Sequence, residues 1–156
     1  MKSNLLSKSE TADVLKLISN KWNQEMPRIK NLKSHYINSD SQILIGDNLK
    51  ILQLKDEFIP FLSDTELLKG FPNVTVDMGA VIFMCNGANV MRPGIKNSSE
   101  FSRDDIVCSV EESQHKFLAV GKSLVNSSEM EEMTKGEVIK NLHYISDNFW
   151  EISKTI

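Results

Sequence analysis

His143 followed by Tyr144, a carboxylate at Asp77, and two cysteines, Cys85 and Cys108, are the side chains whose types could carry out chemistry. His143 would act as a general base if Asp77 met it in space and oriented its ring. No activated nucleophile, metal-ligand cluster or phosphate loop accompanies the pair, which argues against catalysis. Asp77 stands directly before an apolar run, the position from which a carboxylate caps helix amides. His35, His115 and His143 lie far apart, and neither cysteine has a Cys or His neighbour at zinc-finger spacing. The reading is therefore a non-enzyme without cofactor or metal, its cysteines reduced and packed as small hydrophobes.

What remains is binding chemistry, and it centres on Val76 to Ile95, where two Gly-Ala pairs (Gly79-Ala80 and Gly87-Ala88) and Pro93-Gly94 surround one apolar run. The pattern predicts strand, short helix, tight turn, strand. Gly87 follows the run where a helix end needs positive φ, and Pro93-Gly94 suits a type II turn. The helix Met78 to Cys85 is apolar on nearly every side, so burial is expected. A second candidate is the run from Met26 to Ser39, which carries Arg28, Lys30, Lys33 and His35 and no acid. Such a segment either holds phosphate or is the solvated face of a strand.

The elements that would position these residues fall into two groups. Ser7-x-x-Glu10 is a capping box, and Val14, Ile18 and Trp22 then repeat at helical spacing, with Pro27 expected to end the helix. From Ile29 to Leu54, apolar-bearing runs alternate with Asn38-Ser39-Asp40-Ser41 and Gly46-Asp47-Asn48, which predicts an antiparallel meander. Ser63-x-x-Glu66 opens a second helix that closes at Gly70, and the first domain is expected to span residues 1 to 70. The second, residues 71 to 156, contains strands at Val74 to Asp77, Ile106 to Val110 and Phe117 to Val125. Gly121 marks a bulge or a close backbone approach in the last of these. Ser128-x-x-Glu131 predicts one helical turn, and Glu137 to Ile152 a final hairpin.

The chain has 156 residues, 40% of them hydrophobic and 25% charged. That is long enough to bury a core, and the balance is that of a globular protein. No apolar run approaches the roughly 18 residues that span a bilayer, and the start does not resemble a secretory signal, so the expected location is cytoplasmic. The net charge of -3 is unevenly divided: residues 1 to 70 carry net +1 and residues 71 to 156 net -4. A long, sequence-blind electrostatic groove is thereby disfavoured.

The Val-Asp-x-Gly-Ala stretch of Val76 to Ala80, the Gly-Ala-Asn-Val turn of Gly87 to Val90, and Pro93-Gly94 resemble the PUA domain, an RNA-binding module. Ala119-Val120-Gly121, Met130, Lys135-Gly136, Leu142-His143-Tyr144 and Asp147-x-x-Trp150 follow in the order of the malignant-T-cell-amplified-sequence family, small PUA proteins linked to translation. That resemblance implies an α+β pre-PUA domain packed on a small mixed β-barrel with short helices. It also implies association with RNA, either a tRNA acceptor end or small-subunit rRNA, and with the small ribosomal subunit. Eukaryotic members work with a factor bearing an initiation-factor-one-like domain. This chain departs from them in having Arg92 before Pro93.

Carried over by that resemblance, the RNA-binding positions are Gly79, Ala80, Gly87, Ala88, Asn89 and Met91, small or neutral residues that admit a nucleic-acid backbone to main-chain N–H groups. Arg92, Lys96, Lys116 and Lys122 are the cations nearest this surface in sequence and candidate contacts to RNA phosphate, and Arg28, Lys30, Lys33 and His35 form the secondary basic patch. Each of these has a plainer role open to it, as a turn glycine or a solvated charge. An accessory subunit of an RNA-modification enzyme and a protein-interaction module are the alternative functions.

Overall fold

The computed structural model describes residues 2–156, which divide into two compact units, up to Asp64 and from Thr65 onward. The division falls before the short helix α2 (Thr65–Leu68) rather than after Gly70, where the turn chemistry placed it. The reason is packing: Leu68 is fully buried, and its carbonyl lies 3.9 Å from the Cys108 thiol of the second unit.

In the first unit, five antiparallel strands run in chain order: β1 (Ser3–Leu5), β2 (Lys33–Asn38), β3 (Ser41–Gly46), β4 (Leu49–Leu54) and β5 (Glu57–Pro60). Ile43 opposite Leu52 and Leu44 opposite Ile51 bury both faces of the central pair. Three of the strands match the expected meander. β1 and β5 do not appear in the sequence pattern, because three or four residues are too few to show a period.

Helix α1 (Lys8–Trp22) begins at the capping box, with Ser7 Oγ accepting from Glu10 N–H at 3.0 Å and Glu10 Oε1 accepting from Ser7 N–H at 2.9 Å. It ends at Asn23, whose φ of 53° is left-handed, and not at Pro27. Leu15 and Ile18 are buried, and Trp22 Nε1 donates to the Phe58 carbonyl at 2.9 Å. These contacts seat the apolar stripe of α1 on the sheet.

The second unit is a six-stranded mixed sheet with strand order β7-β11-β10-β9-β6-β8. Its members are β6 (Asn73–Val76), β7 (Val90–Met91), β8 (Ile95–Ser98), β9 (Ile106–Glu111), β10 (Phe117–Ser123) and β11 (Glu137–Tyr144). The two outermost strands, β7 and β8, are consecutive in the chain and joined only by the 3-10 turn Arg92–Gly94. A link that short brings the sheet's edges together, so the sheet curls into a nearly closed barrel of α+β type. β6 runs parallel to β9, and all other pairs are antiparallel.

Val74, Val76, Met84, Val107, Val138 and Ile139 form the centre of the barrel core. Gly121 fulfils the expectation of a bulge: the β10–β11 register shifts beside it, and an added Cβ would stand 2.2 Å from the Lys140 carbonyl oxygen.

Several expectations for this unit are corrected. Pro93-Gly94 forms a 3-10 turn rather than a type II turn, and Gly94 has no positive φ. The helix after Val125, α4 (Ser127–Glu132), is capped by Asn126 with Glu129, two residues before the expected box. The tail is strand then helix, not a hairpin. Asp147 Oδ1 accepts from Trp150 N–H at 2.7 Å and starts α5 (Asn148–Ser153). A side-chain cap supplies local hydrogen bonding that a second strand would have had to draw from β11.

Candidate nucleic-acid interface

Helix α3 (Met78–Met84) starts where Asp77 Oδ1 accepts from Ala80 N–H at 2.8 Å, the cap that the sequence predicts. It is buried on one face only, where the sequence predicts burial on nearly every side. Met84 is buried and Ala80, Val81 and Cys85 pack partly on the core, while Met78, Ile82 and Phe83 are 52%, 65% and 66% exposed. Inward and outward residues alternate in pairs at helical spacing, so the helix has one packed face, and its outer face is apolar as well.

Beside α3 lies a concavity of about 410 Å³. Gly79, Ala80 and Phe83 line it from the helix side, and Ala88, Asn89, Met91 and Gly94 from the following turn and β7. Gly94 and Ala80 set its depth, since a Cβ on Gly94 would sit 3.1 Å from that of Ala80. Met91, at the rim, is 45% exposed. The only ionisable side chain in the lining is Asp77.

Five of the six positions carried over for RNA therefore meet at one surface. Gly87, the sixth, has a different local job. Its φ is +93°, and an added Cβ would stand 3.2 Å from the Tyr144 ring.

The amides near this surface are largely used by the fold. Met78 N–H donates to Glu112 Oε2 at 2.9 Å, Gly87 N–H to the Met84 carbonyl and Ala88 N–H to the Phe83 carbonyl. Asn89 is also committed, its Nδ2 donating to Glu137 Oε2 and its Oδ1 accepting from Asn141 N–H, both at 2.9 Å. What the concavity presents is shape and apolar surface more than open hydrogen-bond donors.

The four cations do not form one patch. Arg92 Nε donates to the Met130 carbonyl at 2.7 Å and one terminal nitrogen to the Ile95 carbonyl at 3.3 Å, so its guanidinium clamps the barrel closure. Together with Lys96 it lines a separate polar cleft of about 190 Å³. Lys116 is exposed at the β9–β10 turn, whose form is set by Glu111. Burial pushes that carboxyl's pKa up, but hydrogen bonds from Gln114 N–H, the Ser113 hydroxyl and Lys116 N–H outweigh it and hold the group below the usual range. Lys122 is half-buried near the other end of β10. The strand rise puts it about 20 Å from Lys116.

In the first unit, Arg28, Lys30 and Lys33 are exposed, whereas His35 is buried. Desolvation, with Lys33 and Lys50 nearby, lowers its pKa, so His35 stands apart from the cationic face. His143 meets Asp147, not Asp77: Nδ1 lies 2.8 Å from Asp147 Oδ2, and both residues are buried. Both cysteines are free thiols, and burial pushes that of Cys108 up to about 12. Among the described residues, no group of three or more His, Cys, Asp or Glu could hold a metal ion, and no helix is long and apolar enough to cross a membrane.

A barrel closed by a three-residue turn, with a capped helix exposing a small-residue concavity, defines an RNA-binding PUA-domain protein. The PUA domain family model matches residues 72–145. An uncharacterized protein of Methanocaldococcus jannaschii is 41% identical over 70% of this chain and 74% of its own length. Human malignant T-cell-amplified sequence 2 is 31% identical over 83% of this chain and 76% of its own. The crystal structure of a hypothetical protein from Pyrococcus horikoshii superposes with a TM-score of 0.81 at 26% identity, covering 97% of this chain and 99% of that one. The chain belongs to the family of PUA proteins named translation machinery-associated protein 20 in fungi and malignant T-cell-amplified sequence in vertebrates.

Proposed function

We infer that this chain binds structured RNA of the translation apparatus without catalysis, and that the concavity beside α3 receives an unpaired end, such as that of a tRNA acceptor stem, or an exposed loop of small-subunit rRNA. The observation that carries this reading is the concavity itself, a small-residue floor with Phe83 and Met91 at its margin in an RNA-binding module. An exposed ring is a platform on which an unstacked base gains about 1–3 kcal/mol. RNA is recognised chiefly at such unpaired bases and by shape, so a lining without cations suits it. The names of the fungal relatives support a place in translation. The cytoplasm is the compartment this reading calls for.

Replacing Phe83 and Met91 by Ser tests it, since neither side chain is in the core. Folding should be unchanged, and affinity for tRNA or for small-subunit rRNA fragments should fall at least tenfold. Unchanged RNA affinity in a folded double variant would rule the concavity out as the RNA site. The cation-free apolar lining also favours a second reading, docking of a protein at the same face. In that case the variant loses a protein partner and keeps its RNA.

A further inference from the structure

An apolar groove of about 610 Å³ lies in the first unit, between α1 and the segment Met26 to Lys30. Its floor is Ala12 and Leu15 from the helix and Met26, Pro27 and Ile29 from the segment. Fixed contacts tie the chain beside the groove to the helix and to the residue following β1. Thr11 Oγ1 accepts from Leu32 N–H at 3.0 Å, and Asn31 Nδ2 donates to the Leu6 carbonyl at 2.8 Å. Ile29 sits over Gly46 so closely that an added Cβ there would be 2.7 Å from its Cγ2.

Four cations rim this groove, Lys8, Lys16, Arg28 and Lys30, and no acid lines it. All four are exposed, and none of their side chains has a hydrogen-bond or ion-pair partner among the described residues. Glu10, at the helix start, is committed to the Ser7 cap, and Asp13 and Glu25, neighbours in sequence of Ala12 and Met26, do not line the groove. An apolar floor inside an unneutralised positive rim is complementary to a ligand that is apolar in its middle and anionic around it.

We propose that this groove docks an acidic protein segment with apolar anchor side chains, an amphipathic stretch that lays two or three aliphatic or aromatic groups on the floor and carboxylates against the rim. RNA would satisfy the rim only. The lining contains no aromatic ring on which a base could stack, and phosphates gain nothing from Ala12, Leu15 and Ile29. Charge of one sign around an apolar site also speeds encounter with the acidic partner and excludes basic ones.

The test uses the full chain and pools of short fluorescent peptides. One pool carries Asp or Glu at half of its positions and Leu, Ile, Phe or Met at the rest in helical register. A second replaces the acids by Asn and Gln, and a third replaces the apolar residues by Ser. The first pool should be retained at least tenfold over either control, and its binders should shift the methyl NMR signals of Ala12, Leu15, Met26 and Ile29. Lys16→Glu with Arg28→Glu should cut that retention at least tenfold while the spectrum stays that of the folded protein. Equal retention of all three pools overturns the proposal. So does displacement of the bound peptide from these methyl groups by a single-stranded oligoribonucleotide at equal concentration, which would make the groove an RNA surface. Methyl mapping on the unsubstituted protein decides the matter even if the double variant does not fold.

Discussion

Asp147 holds three groups with one carboxylate. Oδ2 meets His143 Nδ1 at 2.8 Å and accepts from Tyr144 N–H at 2.9 Å, and Oδ1 caps α5. His143 is fully buried, so removing the carboxylate takes a hydrogen bond from a ring that water does not reach. Asp147→Ala is expected to cost about 3 kcal/mol in urea unfolding, adding a lost cap to a broken buried pair, and Asp147→Asn about half of that because the cap oxygen survives. Equal losses in the two variants would show that the cap contributes nothing. Arg92 is similarly structural despite its charge, because its guanidinium is held by the Met130 and Ile95 carbonyls. Arg92→Glu sets a carboxylate against those carbonyls and should destabilise by about 2 kcal/mol. Lys116 is at an exposed turn. Its replacement by Glu should therefore change stability by less than about 0.5 kcal/mol. Thermal melts of both variants check the contrast. RNA binding measured on an Arg92 variant is thus confounded by folding, and charge tests belong at Lys96 and Lys116.

At the level of elements, α3 separates packing from exposure within seven residues. Met84→Ala should cost about 3 kcal/mol through the cavity it leaves. Ile82→Glu, on the outer face, should change stability by less than about 0.5 kcal/mol. Comparable losses would mean that the outer face is covered in solution. In β2, His35 has its pKa lowered by desolvation and by Lys33 and Lys50. The unfolded chain therefore takes up a proton at this position more readily than the folded one, and stability falls as pH drops below about 6.5 toward the folded-state value. His35→Gln should flatten that part of the profile, measured as the urea midpoint between about pH 7.5 and about pH 5.5. A histidine without this lowering would leave the slope unchanged on replacement.

For the molecule as a whole, net charge and the dispersal of the second unit's cations set how binding responds to salt. Arg92 and Lys96 line one cleft, Lys116 occupies a turn, and Lys122 lies about a strand length from it. No more than about two to four phosphates can be met at once from such positions. Log affinity for tRNA against log salt should then have a slope of about -1.5 to -3, taking about 0.7 per single-strand phosphate. A slope steeper than about -5 would require about seven phosphates met at once, more than the second unit's dispersed cations supply, and would bring the first unit's basic residues, Arg28, Lys30 and Lys33 among them, into the RNA surface. Association with the small ribosomal subunit is expected to show as co-sedimentation with free small subunits in a lysate. Migration solely as free protein after gentle crosslinking would rule it out.

The PUA class, the α1 capping box, the Asp77 cap, the positive φ of Gly87 and the close approach at Gly121 were all legible in the chain before it was folded. The two caps and the Gly87 turn are written in a few adjacent residues, because caps and left-handed turns are local physics, whereas the class was carried by a resemblance of motifs spread from Val76 to Trp150 and Gly121 by its place within an apolar run. Which apolar residues lie inside was settled only by the assembled barrel. Met78 to Met84 reads as a buried helix from hydrophobicity, yet only one of its faces finds the barrel, since the curl imposed by the short β7–β8 link leaves nothing of this unit's core over Ile82 and Phe83. The same holds for charge: Arg92, read in the linear chain as a candidate phosphate contact, is taken by carbonyls from Met130 and Ile95, and His35 leaves the basic run by being buried. Whether a polar group serves the fold or a ligand depends on which distant backbone atoms reach it first, and linear spacing does not record that.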